Sequence, residues 1–229
     1  MIYVLFFLGA YLLGSVPVGF LVGKARGVDL REVGSGNIGA TNTLRTLGKG
    51  PGYFVFACDV LKGVIPAVLA KLYFHSNDWG FFVGIAAVFG HALSPFLGFK
   101  GGKGIATGLG VLLGSVTLVG LSSFGLFLFV MAFCLIVSLS SVIAAAALPF
   151  WGLLYHESPI MIGALCVMGI YLVSRHRTNF ERLRQGTEPR FGQKTADGKA
   201  PNTKSRIVCL VLSFVFIVAA YLAYPGLMK

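Results

Sequence analysis

Charged side chains are scarce in this chain of 229 residues: they make up 12% of it, against 56% hydrophobic residues. A soluble domain carries about 25% charged residues, so one water-facing globule of ordinary composition is excluded and the bilayer must serve as solvent for most of the chain. Acidic residues are scarcest, 8 against 19 lysines and arginines, which leaves a formal charge of +11. Cysteine is limited to Cys58, Cys134, Cys166 and Cys209, each alone in an apolar stretch. That spacing excludes a disulfide framework or a metal knuckle and predicts packing residues. The sequence contains no close pair of catalytic carboxylates, no GxSxG elbow, no His-x-x-x-x-Asp pair and no cluster of metal ligands. Any chemistry must lean on electrostatics and positioning, with neither metal nor cofactor expected.

Long apolar windows fill the chain instead. They run over about 1–23, 52–74, 79–98, 105–122, 124–138, 140–155, 158–173 and 206–225, each near the roughly 20 residues of a membrane-spanning helix. The first lacks a basic leader and a small-residue cleavage site and predicts a retained anchor. Within the nearly unbroken run 105–155, the polar clusters Ser122-Ser123 and Ser138 to Ser141 predict the helix breaks. The expected fold is all-α, a polytopic transmembrane helix bundle of about seven core helices with one more at the C-terminus; a reading with one helix fewer is also open. Gly80-xxx-Gly84, Gly104-xxx-Gly108 and Gly110-xxx-Gly114 predict close helix packing. Inside the second window, Asp59 and Lys62 stand at i and i+3 and predict a mutually neutralising pair, with a direct substrate role as the alternative.

Eight crossings place connections 24–51, 99–104, 138–141 and 174–205 on one side, together with sixteen of the nineteen lysines and arginines. The positive-inside rule makes that side cytoplasmic and puts both termini outside. The positive charge suits anionic lipid or phosphorylated metabolites. Nucleic acid is disfavoured, because the basic residues are dispersed among hairpins without a reader motif.

Four of these connections carry polar residues suited to a ligand. The first reads GSGNIGATN over 34–42, followed by Arg45. Its glycines permit close backbone approach, and Ser35, Asn37, Thr41 and Asn42 offer hydrogen bonds, so it suits either a wrap around a polar ligand or a plain glycine-rich turn. Its formal GxGxxG lacks the strand and βαβ unit of a dinucleotide site. The second follows His91 and ends in Gly101, Gly102, Lys103 and Gly104. Exposed glycine amides, a lysine and the start of the next helix predict an anion cradle, with a tight re-entry turn as the alternative. It is not a Walker A loop: Leu97 stands at the first glycine position and Gly104 at the Ser/Thr position. In the third, one of Ser138, Ser140 and Ser141 is expected to cap the following helix, with a ligand contact still open. In the fourth, Arg175, His176 and Asn179 share a face if the preceding helix continues, which suits either a site at the membrane surface or a basic segment on anionic lipid.

The stretches GSGNIGATN at 34–42, GHALSPFLGFKGGKG at 90–104 and RHRTNFERLRQGTEPRF at 175–191, with LGSVPVGFLVGK at 13–24 and SLSS at 138–141, resemble the bacterial acyl-phosphate-dependent glycerol-3-phosphate acyltransferases, the PlsY family. The resemblance covers 1–191; 192–229 reads as a polar linker and an extra apolar segment outside the family core. It implies a multi-pass enzyme of the bacterial cytoplasmic (inner) membrane that moves a fatty acyl group from acyl phosphate to the sn-1 hydroxyl of glycerol 3-phosphate. Lysophosphatidic acid and phosphate are the products, with no acyl-enzyme. By the same resemblance, Ser35, Ser141, His176 and Asn179 are catalytic, while Arg45, Gly101, Gly102, Lys103 and Gly104 hold phosphate. Asn37, Thr41, Asn42, His91 and Arg175 support them. Two rivals are a transporter of a phosphorylated anionic solute and a lipid-binding scaffold. The first predicts mid-membrane polar groups and repeated halves, and the second needs no imidazole and hydroxyls gathered with the cations.

Overall fold

A computed structural model describes residues 1–191 and 203–223. Among these the chain is all-α. The first apolar window forms α1 (Ile2–Ser15) and α2 (Val18–Ala25). Pro17 separates them: it disfavours helical backbone at Val16, which turns to φ −58°, ψ 114°. An amphipathic helix the sequence reading did not anticipate, α3 (Ala40–Leu47), lies inside the first connection. Eight residues are too few for apolar periodicity to stand out. Next come α4 (Lys49–Phe74), α5 (Asn77–Ala92), a 3₁₀ turn at Pro95–Leu97 and α6 (Ile105–Ser115). Then follow α7 (Thr117–Cys134), α8 (Val137–Ala146), α9 (Leu148–Leu154), α10 (Pro159–Ser174), α11 (Arg177–Arg184) and α12 (Thr203–Leu222). The linker 192–202 and residues 224–229 lie outside the described residues.

Four helical stretches, Ile2–Ala25, Lys49–Phe74, Asn77–Leu97 and Thr117–Cys134, are long and apolar enough to cross a bilayer. The bent pairs α8–α9 (41°) and α10–α11 (52°) raise this to six. The short α6, rising roughly 16 Å at 1.5 Å per residue, completes the seven apolar core segments, and α12 is the additional one. Leu61, Leu69, Leu72, Ile160, Val167 and Ile170 stand exposed, an outward apolar surface suited to lipid.

The breaks within 105–155 differ from expectation. They fall at Val116, at Leu135–Ile136 and at Ala147, while Ser122 and Ser123 lie buried inside α7. Serine does not have to end a helix when its hydroxyl finds a partner, and Ser122 meets the Tyr155 hydroxyl at 2.6 Å. At the second break Leu135 takes φ 57°, and its carbonyl accepts the Phe191 amide at 2.6 Å.

The chain divides into two compact units, Met1–Val116 and Thr117–Lys229. In the first, α4 packs against α3, α5 and α6, and α1 against α5. Asp59 and Lys62 do pair, Oδ1 to Nζ at 2.9 Å, both buried. Glycines bring α4 and α6 together: a Cβ on Gly63 would strike the Thr107 carbonyl, and one on Gly110 the Val60 carbonyl. Gly80, Gly84 and Gly114 also pack as expected, but Gly104 serves as the N-cap of α6 at φ 85°. In the second unit, α7 packs on α8 and α12, and the Ser213 hydroxyl donates to the Gly125 carbonyl at 2.8 Å.

Replacing Gly110 with Leu forces α4 and α6 apart. The expected loss is about 1–3 kcal/mol or more, as for other overpacked cores, seen as a lower thermal midpoint in detergent; an unchanged midpoint contradicts this packing.

Candidate active site

In the first unit, the 34–42 loop is built around Asn42, which is 1% exposed. Its amide donates to the carbonyls of Leu30 and Val33, both at 3.0 Å, and its Oδ1 accepts the Ser35 amide at 2.9 Å. Gly34 turns through φ 62° beside it, and a side chain there would collide with Asn42 Oδ1. Asn37 accepts the Gly39 amide at 2.8 Å, a local turn that leads into α3. Asn42 and Asn37 thus shape the loop, Thr41 is exposed, and Ser35 and Arg45 are half-buried, Arg45 in the last turn of α3. One cation of this connection is already committed: Arg31 pairs with Asp29, whose carboxyl that hydrogen bond holds down to about 2.

The second loop departs from the cradle the sequence suggests. The amides of Gly101 and Gly102 are not exposed around Lys103; they donate to the carbonyls of Ala92 and His91, each at 3.0 Å. The α5 helix leaves its last carbonyls without intrahelical donors, and the glycines supply them. Gly101 and Gly102 therefore fold the loop back onto α5, with the His91 ring buried beneath them. Gly104, in the left-handed region, starts α6 next to half-buried Lys103, so of the expected cradle the lysine and the helix N-terminus are the parts this backbone path keeps.

In the second unit, the serines are not caps. The α8 helix has no side-chain cap; the hydroxyls of Ser140 and Ser141 donate back to the carbonyls of Ile136 and Val137 at 3.0 and 2.8 Å. Nor does α10 run on through Asn179. It ends at Ser174 and turns by 52° into α11, with Arg175 as its C-cap and His176 as the next N-cap. His176 and Asn179 are nonetheless both buried. The His176 Nδ1 lies 2.8 Å from the Leu172 carbonyl. A carbonyl can only accept, so Nδ1 carries the proton and Nε2 is the acceptor of the neutral ring.

Sequence reasoning missed Glu188, the centre of this unit's polar network. Its Oε1 accepts from the Ser138 hydroxyl and the Asn179 amide, and its Oε2 from Arg182 Nε, each at 2.7 Å. One of only two acidic residues, with Glu181, among five nearby arginines, Arg175, Arg177, Arg182, Arg184 and Arg190, was the available signal. Burial pushes the Glu188 carboxyl up, but bonds from Ser138, Arg182 and Asn179 and the Arg182 charge outweigh it and hold it below its ordinary 4.5.

A depressed carboxyl adds stability that is complete above the unfolded pKa and lost as pH falls through the folded one. Amide protection across 179–188, corrected for intrinsic exchange, is therefore expected to stay level down to the ordinary glutamate value of 4.5 and to fall only below it; protection that decays above that value contradicts a stabilising role for the Glu188 network. In the first unit, Asn42→Ala orphans the buried Leu30 carbonyl and the part-buried Val33 carbonyl and is expected to cost about 1–3 kcal/mol for the buried group and less for the other, read as a lower thermal midpoint.

Residues 4–186 match the family model described as glycerol-3-phosphate acyltransferase. A protein of that name from Geobacter sulfurreducens is 46% identical over 182 residues, covering 80% of this chain and 94% of the relative. One from Synechococcus sp. is 50% identical over 186 residues, covering 80% and 92%. A solved structure described as PlsY, an integral membrane glycerol 3-phosphate acyltransferase in its glycerol 3-phosphate form, superposes with a TM-score of 0.80 at 42% identity, covering 84% of this chain and 96% of that one. Another, in the lysophosphatidic acid form, gives 0.78 at 38% identity, covering 91% and 100%. An all-α, multi-pass membrane chain matched over most of its length, it belongs to the glycerol-3-phosphate acyltransferase family and is an acyltransferase.

Proposed function

We propose that this enzyme transfers a fatty acyl group from acyl phosphate to the sn-1 hydroxyl of glycerol 3-phosphate, by direct attack and without an acyl-enzyme. Family membership supports glycerol 3-phosphate as acceptor, and the glycerol 3-phosphate and lysophosphatidic acid forms of the solved relatives agree with it. The observation that carries the donor assignment is the kind of groups present: cations and an imidazole with Nε2 left to accept a proton, with no GxSxG nucleophile in the sequence. Acyl phosphate is a mixed anhydride with a good leaving group and needs little covalent help.

In the reaction the glycerol oxygen forms a bond to the acyl carbon. The bond from that carbon to the phosphate oxygen breaks, and phosphate leaves with the electron pair. Either His176 Nε2 or a phosphate oxygen takes the hydroxyl proton. Lys103 and Arg45 hold phosphate, Ser35, Ser141 and Asn179 orient the substrates, and Asn37, Thr41, Asn42, His91 and Arg175 support them. Gly101, Gly102 and Gly104 act here through the backbone path they give the Lys103 loop. Residues 1–191 form the acyltransferase core and 192–229 an appended linker and helix. The excess of basic residues in the connections 24–51, 99–104 and 174–205 supports a cytoplasmic orientation of these loops in the bacterial inner membrane.

Purified protein in lipid, given acyl phosphate and glycerol 3-phosphate, is expected to release phosphate and lysophosphatidic acid in equal amounts. His176→Ala is expected to lower kcat by about 10²–10⁴-fold, while Lys103→Ala raises KM for a phosphate-bearing substrate. Absence of product from the wild-type enzyme, or flux of a phosphorylated solute into vesicles in its place, overturns the assignment.

A further inference from the structure

The buried charges of the first unit converge beneath the Lys103 loop. Asp59 on α4 is 3% exposed, Lys62 4% and His91 on α5 6%. One oxygen of Asp59, Oδ1, bonds Lys62 Nζ at 2.9 Å and lies 3.7 Å from His91 Nδ1, a separation longer than a hydrogen bond that makes an ion pair when the ring is protonated. The far side of the same ring faces the loop, since a Cβ on Gly102 would strike His91 Nε2 and one on Gly101 the His91 carbonyl. The backbone closes the contact, with the amides of Gly101 and Gly102 on the carbonyls of Ala92 and His91. Lys62 in turn donates to the Val16 carbonyl at 3.2 Å, in the break between α1 and α2. From there α2 reaches the other loop: Gly19 lies so close to Ile38 that a Cβ would strike its carbonyl. A narrow crevice whose lining includes Ser15, Val16, Ile38, Asp59, Lys62 and His91 joins these groups.

Charges within the apolar region are costly unless they are paired, and apolar residues of similar volume often serve stability as well as a buried ion pair does. Stability alone therefore does not account for an aspartate aimed at the ring that carries the glycines. We propose that Asp59 and His91 are positioning residues for glycerol 3-phosphate binding: Asp59 fixes the imidazole, and the imidazole sets the height of the Gly101–Gly102 backbone and so the place from which Lys103 reaches. This inference rests on the assignment of Lys103 to substrate phosphate. Lys62 anchors Asp59 and ties it to the start of α2.

Steady-state kinetics of the full-length enzyme in lipid bilayer discs, each substrate varied with the other saturating, tests this. Asp59→Asn weakens the hold on the ring, and His91→Phe keeps an aromatic ring without the nitrogen facing Asp59. In both, KM for glycerol 3-phosphate is expected to rise roughly 10- to 100-fold, the range of other lost supporting contacts, while KM for acyl phosphate stays near wild type. Asp59→Asn also strips buried Lys62 of its counter-charge and lowers the thermal midpoint, whereas His91→Phe keeps it near wild type. A glycerol 3-phosphate KM unchanged in both, or an equal rise in KM for both substrates together with a lower thermal midpoint in His91→Phe, overturns the proposal. Should neither variant fold, Gly102→Ala decides: its methyl group must displace the ring and raise the same KM, and a wild-type value overturns the proposal. Lys103→Ala is the reference. If it raises KM while Asp59→Asn and His91→Phe do not, only the positioning role fails; if the wild-type enzyme forms no lysophosphatidic acid, the assigned reaction itself fails.

Discussion

Inside a bilayer a polar group without a partner costs several kcal/mol, and this constraint organises the whole chain. Its helices offer apolar side chains to lipid, so most of its charges and many of its hydroxyls and amides gather at helix ends and in connections, with few in the helix interiors. Asp59 and Lys62 show the interior solution, a contact of 2.9 Å between two buried groups. Ser140 and Ser141 show a local one, each hydroxyl donating to a carbonyl one helical turn back. The proposed chemistry therefore depends on how well the connections are held.

That holding is done by single buried side chains, each satisfying several backbone or polar groups. Asn42 joins three points of the first loop, and Glu188 gathers Ser138, Asn179 and Arg182. Backbone joins reinforce them: Gly101 and Gly102 on the end of α5, and Phe191 on the Leu135 carbonyl. Such joins fix the residues on either side of a helix break, which loops of this composition would not achieve through propensity alone. The Leu172 contact does the same for protonation, leaving His176 with Nε2 as its acceptor.

The sequence made the apolar segments legible because length and hydropathy act locally, and the Asp59–Lys62 pair followed from helical spacing. It misplaced the breaks at Ser122–Ser123, since a serine that finds Tyr155 across the unit does not end a helix. Short α3 escaped notice for want of periods. The continuous helix through Asn179 gave way to a bend at Arg175–His176, where capping geometry, invisible to spacing, decides the path. Glycine-rich connections were recognisable as special, but not the direction of their amides: the sequence suggested donors for an anion, and the α5 carbonyls claim those of Gly101 and Gly102. Glu188 was hidden because its role arises only when residues up to 50 positions apart meet.

The central claim is that this enzyme accelerates acyl transfer by placing two phosphate-bearing substrates, with no covalent acyl-enzyme. Isotope exchange tests it most directly. Enzyme incubated with acyl phosphate and radiolabelled inorganic phosphate, with glycerol 3-phosphate left out, has no route by which label enters acyl phosphate if the acyl group moves in one step. The account predicts no exchange until the acceptor is added. Label appearing in acyl phosphate without it would demonstrate an acylated side chain and contradict the account.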